Sequence, residues 1–225
     1  MSIRVTIIGA PASGKSTLTD GILAADPAVR SFGVRSHFHF QVQARTPIGL
    51  EAEAVVNGGG WIPDELVAKA VRQEFADGNL GEQFVFEGMP GNRRQAELLD
   101  EVLEDVGLPL IGAIHVNTPE EVCLQRAAGR TVCVRCDGGA HQARSDPRDP
   151  SICANCGGPI TRRDADDPSY VVQRLELHRR QTPELVDFYR GPRLLELDGR
   201  GSAPELLAQA LAWIAERNAV PGVGR

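Results

Sequence analysis

Gly9-Ala10-Pro11-Ala12-Ser13-Gly14-Lys15-Ser16 fits the pattern G-x-x-x-x-G-K-[ST], and no other stretch restricts the fold of this chain as tightly. The pattern means phosphate binding only where a strand delivers the loop and a helix leaves it. Both flanks are present. Ile3-Arg4-Val5-Thr6-Ile7-Ile8 is a short β-branched run that reads as a buried strand, and Leu18, Ile22 and Ala25 then recur at helical spacing until Asp26-Pro27. In that context successive backbone N–H groups and the helix N-terminus can cradle a phosphate. The candidate ATP-binding set is Gly9, Ala12, Ser13, Gly14, Lys15, Ser16 and Thr17, with Lys15 reaching the β/γ oxygens and the Ser16 hydroxyl offered to Mg²⁺. A GTPase would also need an N-K-x-D base reader. The nearest stretch, Asn117-Thr118-Pro119-Glu120, lacks both the Lys and the Asp, which argues against that class.

The rest of the chain alternates strands and helices. Phe84-Val85-Phe86 reads as a second buried strand and Leu110 to Val116 as a third, with a last strand over Leu194 to Leu197. Helical patterns lie between and after them. One opens at Pro63-Asp64-Glu65 and carries Leu66, Val67, Ala70, Val71 and Phe75; another carries Ala96, Leu98, Leu99, Val102 and Leu103. Others run over Pro119 to Ala128 and Pro168 to Tyr189, and the final one holds Leu206, Leu207, Leu211 and Ile214. This order implies an α/β fold, a P-loop NTPase-type parallel sheet flanked by helices. Residues 33–62 read as an insert, with a helix starting at Thr46-Pro47 and stopping at Asn57-Gly58.

A second insert, from about Gly129 to Asp167, holds four of the five cysteines as two C-x-x-C knuckles: Cys133, Cys136, Cys153 and Cys156. Four thiolates suit a closed tetrahedral Zn²⁺ site, structural because no position is left for water. The insert has too few large apolar residues to order itself without such a staple. A disulfide pair is the competing reading, disfavoured in a reducing compartment. Cys123 stands alone and reads as a small buried hydrophobe, and His141 as a surface residue. Six Arg balance six Asp between residues 130 and 167, a poor surface for a phosphate backbone, so the knuckles do not read as a nucleic-acid module.

The chain has 225 residues and a formal net charge of −6, so no global field favours nucleic acid or an anionic membrane. No signal peptide and no run of 18 apolar residues is present, and a cytoplasmic monomer is expected, with ATP and a small phosphate acceptor as partners, no nucleic acid and no membrane.

Taken in order, the motifs resemble the adenylate kinase family of nucleoside monophosphate kinases, in its long, zinc-bearing form. The loop GAPASGKST resembles G-x-P-G-x-G-K-G-T, and Gly60-Trp61-Ile62-Pro63-Asp64-Glu65 resembles L-V-P-D-E. Glu87-Gly88-Met89-Pro90 with Gln95-Ala96 resembles D-G-F-P-R-x-x-x-Q-A; Arg126-Ala127-Ala128-Gly129-Arg130 resembles R-x-x-G-R. Arg162-Arg163, Asp166-Asp167-Pro168 and Arg174-Leu175 resemble the segment leaving the lid, and Leu197-Asp198-Gly199 resembles the final V-D-G.

The resemblance implies a core domain (1–32, 63–128 and 168–225), an acceptor-binding flap (33–62) and a zinc-binding lid (129–167), with hinges near Gly129 and Asp167. It implies transfer of the γ-phosphoryl of Mg·ATP to a nucleoside monophosphate. It names Lys15, Arg126, Arg130, Arg163 and Arg174 as catalytic, and adds Arg126, Arg130 and Ser202 to the ATP site. It puts Val34, His39, Trp61, Ile62, Gly88, Gln95, Arg163 and Arg174 on the acceptor, and Glu87 beside Ser16 at the magnesium. Arginines rather than a general base suit the chemistry, because phosphoryl transfer is mostly positioning and charge neutralisation.

Three positions depart from the family pattern. The flap motif S-T-G-D-x-L-R is matched by Gly33-Val34-Arg35-Ser36-His37-Phe38-His39, so His39 replaces an acceptor-phosphate arginine. Gly91 replaces the Arg after G-F-P, and Glu87 replaces an Asp. Arg35, Arg45, Arg93 or Arg94 are the candidate substitutes, and Arg162 is as near to the lid position as Arg163. The His37-Phe38-His39-Phe40 stretch is compatible with a non-AMP acceptor or with simple packing of the flap. A non-catalytic nucleotide-sensing zinc protein is the third reading.

Overall fold

The computed structural model describes residues 2–57, 61–133, 135, 143–162 and 166–219. Its centre is a five-stranded sheet built from β1 (Arg4–Gly9), β2 (Arg30–Gly33), β3 (Phe84–Glu87), β4 (Gly112–Asn117) and β7 (Leu194–Asp198). The strand order is β2-β3-β1-β4-β7, and every pairing is parallel. Val5 lies level with Val85 on one side and Gly112 on the other, so β1 is flanked by two strands that follow it in sequence. That reversal of direction beside β1 is where a doubly wound sheet opens a crevice at its strand ends.

Helices cover both faces. On one, α1 (Lys15–Ala25) and α8 (Ala203–Ala219) enclose Val5, Ile7, Val85, Ile114 and Val116. On the other, α4 (Asp64–Ala76), α5 (Arg93–Asp105) and the C-terminal half of α7 (Pro168–Tyr189) enclose Ile8, Phe84, Phe86 and Ala113. The apolar positions expected on α5 are all buried, and its N-terminus is capped by Asn92, whose side chain accepts from the Gln95 N–H at 2.8 Å. Phe84 and Phe86 are fully buried; truncating either to alanine would cost about 3–5 kcal/mol.

β2 is a finding the sequence pattern did not announce. It is four residues long at the sheet edge, with Phe32 its one buried side chain, so no alternation marks it. The third expected strand begins at Gly112; Leu110 and Ile111 are a buried lead-in, and the Ile111 N–H reaches Arg4 O at 2.8 Å. Two segments project from the core: the helical pair α2 (Val34–Gln43) and α3 (Pro47–Asn57) between β2 and α4, and the stretch after α6 (Glu120–Ala128). The latter carries an antiparallel pair, β5 (Ser145–Asp146) with β6 (Asp149–Cys153), and isolated bridges Val132–Thr161 and Ile152–Pro159. Among the described residues no helix is long and apolar enough to cross a membrane.

Candidate functional site

β1 hands the chain to the loop at Gly9. A Cβ there would lie 2.6 Å from Val116 O and 2.9 Å from Ser13 Oγ, at a φ of 150°, so glycine alone lets the loop turn against the end of β4. Gly14 turns at φ 109°, and Ala12 takes φ 60°, a left-handed conformation rare for a residue with a Cβ. Ser13 is fully buried, and its Oγ has no hydrogen-bond partner. The Lys15 ammonium folds back into the loop and donates to Gly9 O at 2.9 Å and Ala10 O at 2.6 Å. Its pKa is pushed down to about 8, first by desolvation; Arg174 and Arg130 push it down further, against an upward pull from Glu87. Four charged side chains from four segments thus face one loop. The Ser16 hydroxyl donates to Glu87 Oε1 at 2.5 Å, joining the start of α1 to the end of β3. Thr17, next along α1, is exposed.

Arg126, at the end of α6, is engaged by backbone: Nη1 donates to Ser13 O at 3.1 Å and Nη2 to Gly199 O at 2.9 Å. It ties the phosphate loop to the turn after β7. Arg130 lies 3.7 Å from the buried carboxylate of Asp166, and Arg162 donates to Ala128 O at 3.0 Å. Arg174 sits half-buried on α7. Arg163 lies outside the described residues. Ser202 has a structural task, since its N–H and hydroxyl donate to Glu205 at 3.0 and 2.7 Å at the start of α8.

On the expected acceptor side, Val34 and Ile62 are half-buried against the core. His37 and Phe38 pack inward: His37 stacks against Phe32 at 4.8 Å, lies 3.6 Å from Glu74, and has its pKa lowered to about 4 by burial. His39 and Phe40 face outward and are exposed. The aromatic stretch therefore splits, half packing and half surface. Gly88 approaches the donor loop, since a Cβ there would lie 3.6 Å from Lys15 Cε.

Three residues further on, Gly91 lies beneath the Trp61 ring. A Cβ on Gly91 would come within 2.3 Å of Trp61 Cη2 and 2.6 Å of Cζ2. The Gly91 N–H donates to Gln95 Oε1 at 2.7 Å, and Gln95 Nε2 donates to Asp64 Oδ1 at 2.7 Å. Asn92 Nδ2 donates to the same carboxylate at 3.1 Å, and Trp61 Nε1 points to it at 3.4 Å. Asp64, which the sequence reading did not single out, is the hub of this corner. The candidate substitute arginines hold surface ion pairs: Arg45 with Glu53, Arg93 with Glu97 and Arg94 with Glu65. Arg35 is exposed on α2.

Two further groups near the loop carry no sequence signal. His115 on β4 and His178 on α7 have ring centroids 6.5 Å apart, and His115 Nδ1 lies 3.3 Å from Glu196. Burial lowers both pKa values, that of His178 to about 4 with help from Lys15. Both rings are neutral near pH 7, so they add no charge to the loop. Cys123 is buried, as expected, with its thiol toward Thr118 O at 3.7 Å.

In the second projection, the sulfurs of Cys133, Cys153 and Cys156 all lie within 4.8 Å of one another, and Cys133 Sγ is 3.5 Å from Cys156 Sγ. Cys136 lies outside the described residues. The Gly158 N–H donates to Cys156 Sγ at 3.4 Å. A tetrahedral ion with Zn–S bonds of ~2.3 Å puts its sulfurs ~3.8 Å apart, so the three described thiols are gathered on the scale one ion needs.

The family model for adenylate kinase matches residues 7–193 of this chain. An adenylate kinase of Lachnoclostridium phytofermentans is 32% identical over 215 residues, spanning 95% of this chain and 99% of its own. That of Carboxydothermus hydrogenoformans is 31% identical over 212 residues, spanning 92% and 96%, and that of Bacillus subtilis 30% identical over 187 residues, spanning 83% and 86%.

Proposed function

This chain belongs to the adenylate kinase family, and on that premise we propose that it moves the γ-phosphoryl of Mg·ATP to AMP, giving two ADP. One observation carries the reading: Lys15 lies in the mouth of the glycine-rich loop, with Arg130 and Arg174 near enough to depress its pKa and the Ser16–Glu87 pair alongside. That is a cluster of cations around a phosphate cradle, and it suits a reaction that needs neutralisation of equatorial oxygens more than a base.

In this reading the N–H groups of residues 12–17 hold the β-phosphate, with the buried Ser13 hydroxyl, unpartnered here, turned to the same loop. Lys15 leaves its two carbonyls to bridge the β- and γ-phosphates. Arg130 and Arg174, with Arg163 from the lid, neutralise the transferred group. Arg126 acts through the loop: gripping phosphate would require it to release Ser13 and Gly199, so we assign it to holding donor loop and β7–α8 turn in register. Ser16 and Glu87 present adjacent oxygens, the donor type Mg²⁺ takes. When bound there, magnesium supplies charge neutralisation across the β- and γ-oxygens.

The domain reading is part of the proposal: a core of 1–32, 63–128 and 168–225, an acceptor flap of 33–62 and a lid of 129–167. Closure of flap and lid would keep water from the γ-phosphate. The gathered thiols of Cys133, Cys153 and Cys156, with Cys136, support a structural zinc that stiffens the lid. Nothing in the relatives favours a non-AMP acceptor or a non-catalytic sensor. The test is ADP formation from Mg·ATP and AMP, followed by product mass, with CMP, UMP and GMP as competitors; ADP from AMP at the highest kcat/KM is expected.

A further inference from the structure

We propose that Trp61 is the platform on which the base of the acceptor nucleotide stacks, and that Gly91 is glycine to make room for it. This rests on the acceptor reading above. The indole is a large apolar group left 46% exposed, yet it is held rather than loose. One edge lies over Gly91 so closely that any Cβ there would overlap the ring, and the pyrrole edge points to Asp64 Oδ1 at 3.4 Å. Asp64 is itself fixed by Gln95 at 2.7 Å and Asn92 at 3.1 Å.

The charges at this corner suit a base better than a phosphate. Its nearest ionised group is the Asp64 carboxylate, and Arg93 and Arg94 are turned to Glu97 and Glu65. A phosphate here would meet a negative hub. The Gln95 amide is already committed at both ends, accepting from the Gly91 N–H and donating to Asp64. With one lone pair and one N–H left, it cannot by itself hold a heterocycle. An exposed aromatic face beside it supplies what is missing, because stacking on an aromatic side chain accepts any base and favours the larger purine. The swap is coherent: where the motif pattern would put a cation after Gly88-Met89-Pro90, this chain has an aromatic surface and no room for a side chain.

The test uses the full chain carrying Trp213→Phe, which leaves Trp61 as its one tryptophan. Titration with AMP, without ATP, should quench the remaining fluorescence, and ribose 5-phosphate should not. Trp61→Ala should raise the AMP Kd about tenfold, leave the KM for ATP unchanged, and leave inhibition by ribose 5-phosphate unchanged. Trp61→Phe should recover most of the affinity. If the alanine variant does not fold, Trp61→Leu, which keeps an apolar cover over Gly91 but no ring, serves in its place. Equal losses for AMP and ribose 5-phosphate, or no loss for AMP, would overturn the platform while leaving the kinase reading intact. Failure of the unaltered protein to phosphorylate AMP at all would overturn the acceptor reading itself.

Discussion

At the donor end of the cleft, the ligand-facing surface is mostly backbone: a loop from Gly9 to Ser16, turned by Gly9 and Gly14 and completed by one lysine. At the acceptor end it is side chain. Trp61, Asp64, Asn92 and Gln95 come from the starts of two helices, and each is placed by another. The difference teaches where a family can change. A backbone cradle is fixed by φ angles and close approaches and tolerates little beyond Ala12 at φ 60°. A side-chain corner can exchange a cation for an aromatic ring if one neighbour shrinks to glycine. Donor substitutions should therefore abolish transfer whatever the acceptor, and acceptor substitutions should discriminate among acceptors.

The largest effect expected is at Lys15. Lys15→Ala should lower kcat about 10²–10³-fold or more with every acceptor, with an unchanged far-ultraviolet circular dichroism spectrum. Near-normal turnover in that variant would remove the distinction between the two ends.

Next comes pH. Lys15 binds phosphate as the ammonium, and burial with neighbouring Arg174 and Arg130 sets its free-enzyme pKa at about 8. Above that value the free enzyme loses the proton, so kcat/KM for ATP should fall about tenfold per pH unit. The kcat profile should break at higher pH, because bound phosphate restores the charged form. The same break in a profile against AMP at saturating ATP would erase the asymmetry.

At the acceptor end, Gly91→Ala should swing the indole away and raise the KM for AMP about tenfold, as Trp61→Ala does. The two together should cost little more than one, because each removes the same surface. Additive losses would break the pairing.

A smaller effect is expected from the lid, which belongs to neither end. Cys156→Ser or a strong chelator should lower the melting temperature by several degrees, about 2–4 °C for each kcal/mol lost, and metal analysis should find one zinc per chain before treatment. The smallest is Ala12→Gly, which relieves a left-handed alanine and should stabilise by about 0.5–1 kcal/mol with turnover little changed.

The same division explains how much could be read from the sequence. The donor loop is contiguous, so eight residues and their flanking strand and helix specify it. The buried strands announced themselves because Val5, Ile7, Phe84, Phe86 and Ile114 are apolar on a sheet covered on both faces. β2 did not, because an edge strand with one buried residue has no period. The β5–β6 pair did not either: Ser145-Asp146 and Asp149-Pro150-Ser151 are polar, and what orders them is backbone pairing near the thiols. The Asp64 hub joins residues about thirty positions apart in the chain, a coincidence no local spacing encodes. One signal was available: Asn92 and Gln95 form an N-x-x-Q helix start, which marks the beginning of α5. His115 and His178, on β4 and α7, meet only through the packing of α7 on the sheet.

The central claim is that this chain joins an unaltered donor cradle to a rebuilt acceptor corner that still takes AMP. The most direct measurement is steady-state phosphorylation of AMP, CMP, UMP and GMP by Mg·ATP with the unaltered protein, scored by product mass. The account predicts ADP from AMP at the highest kcat/KM. Slow ATP hydrolysis that no acceptor accelerates, or efficient phosphorylation of another acceptor with none of AMP, would contradict it.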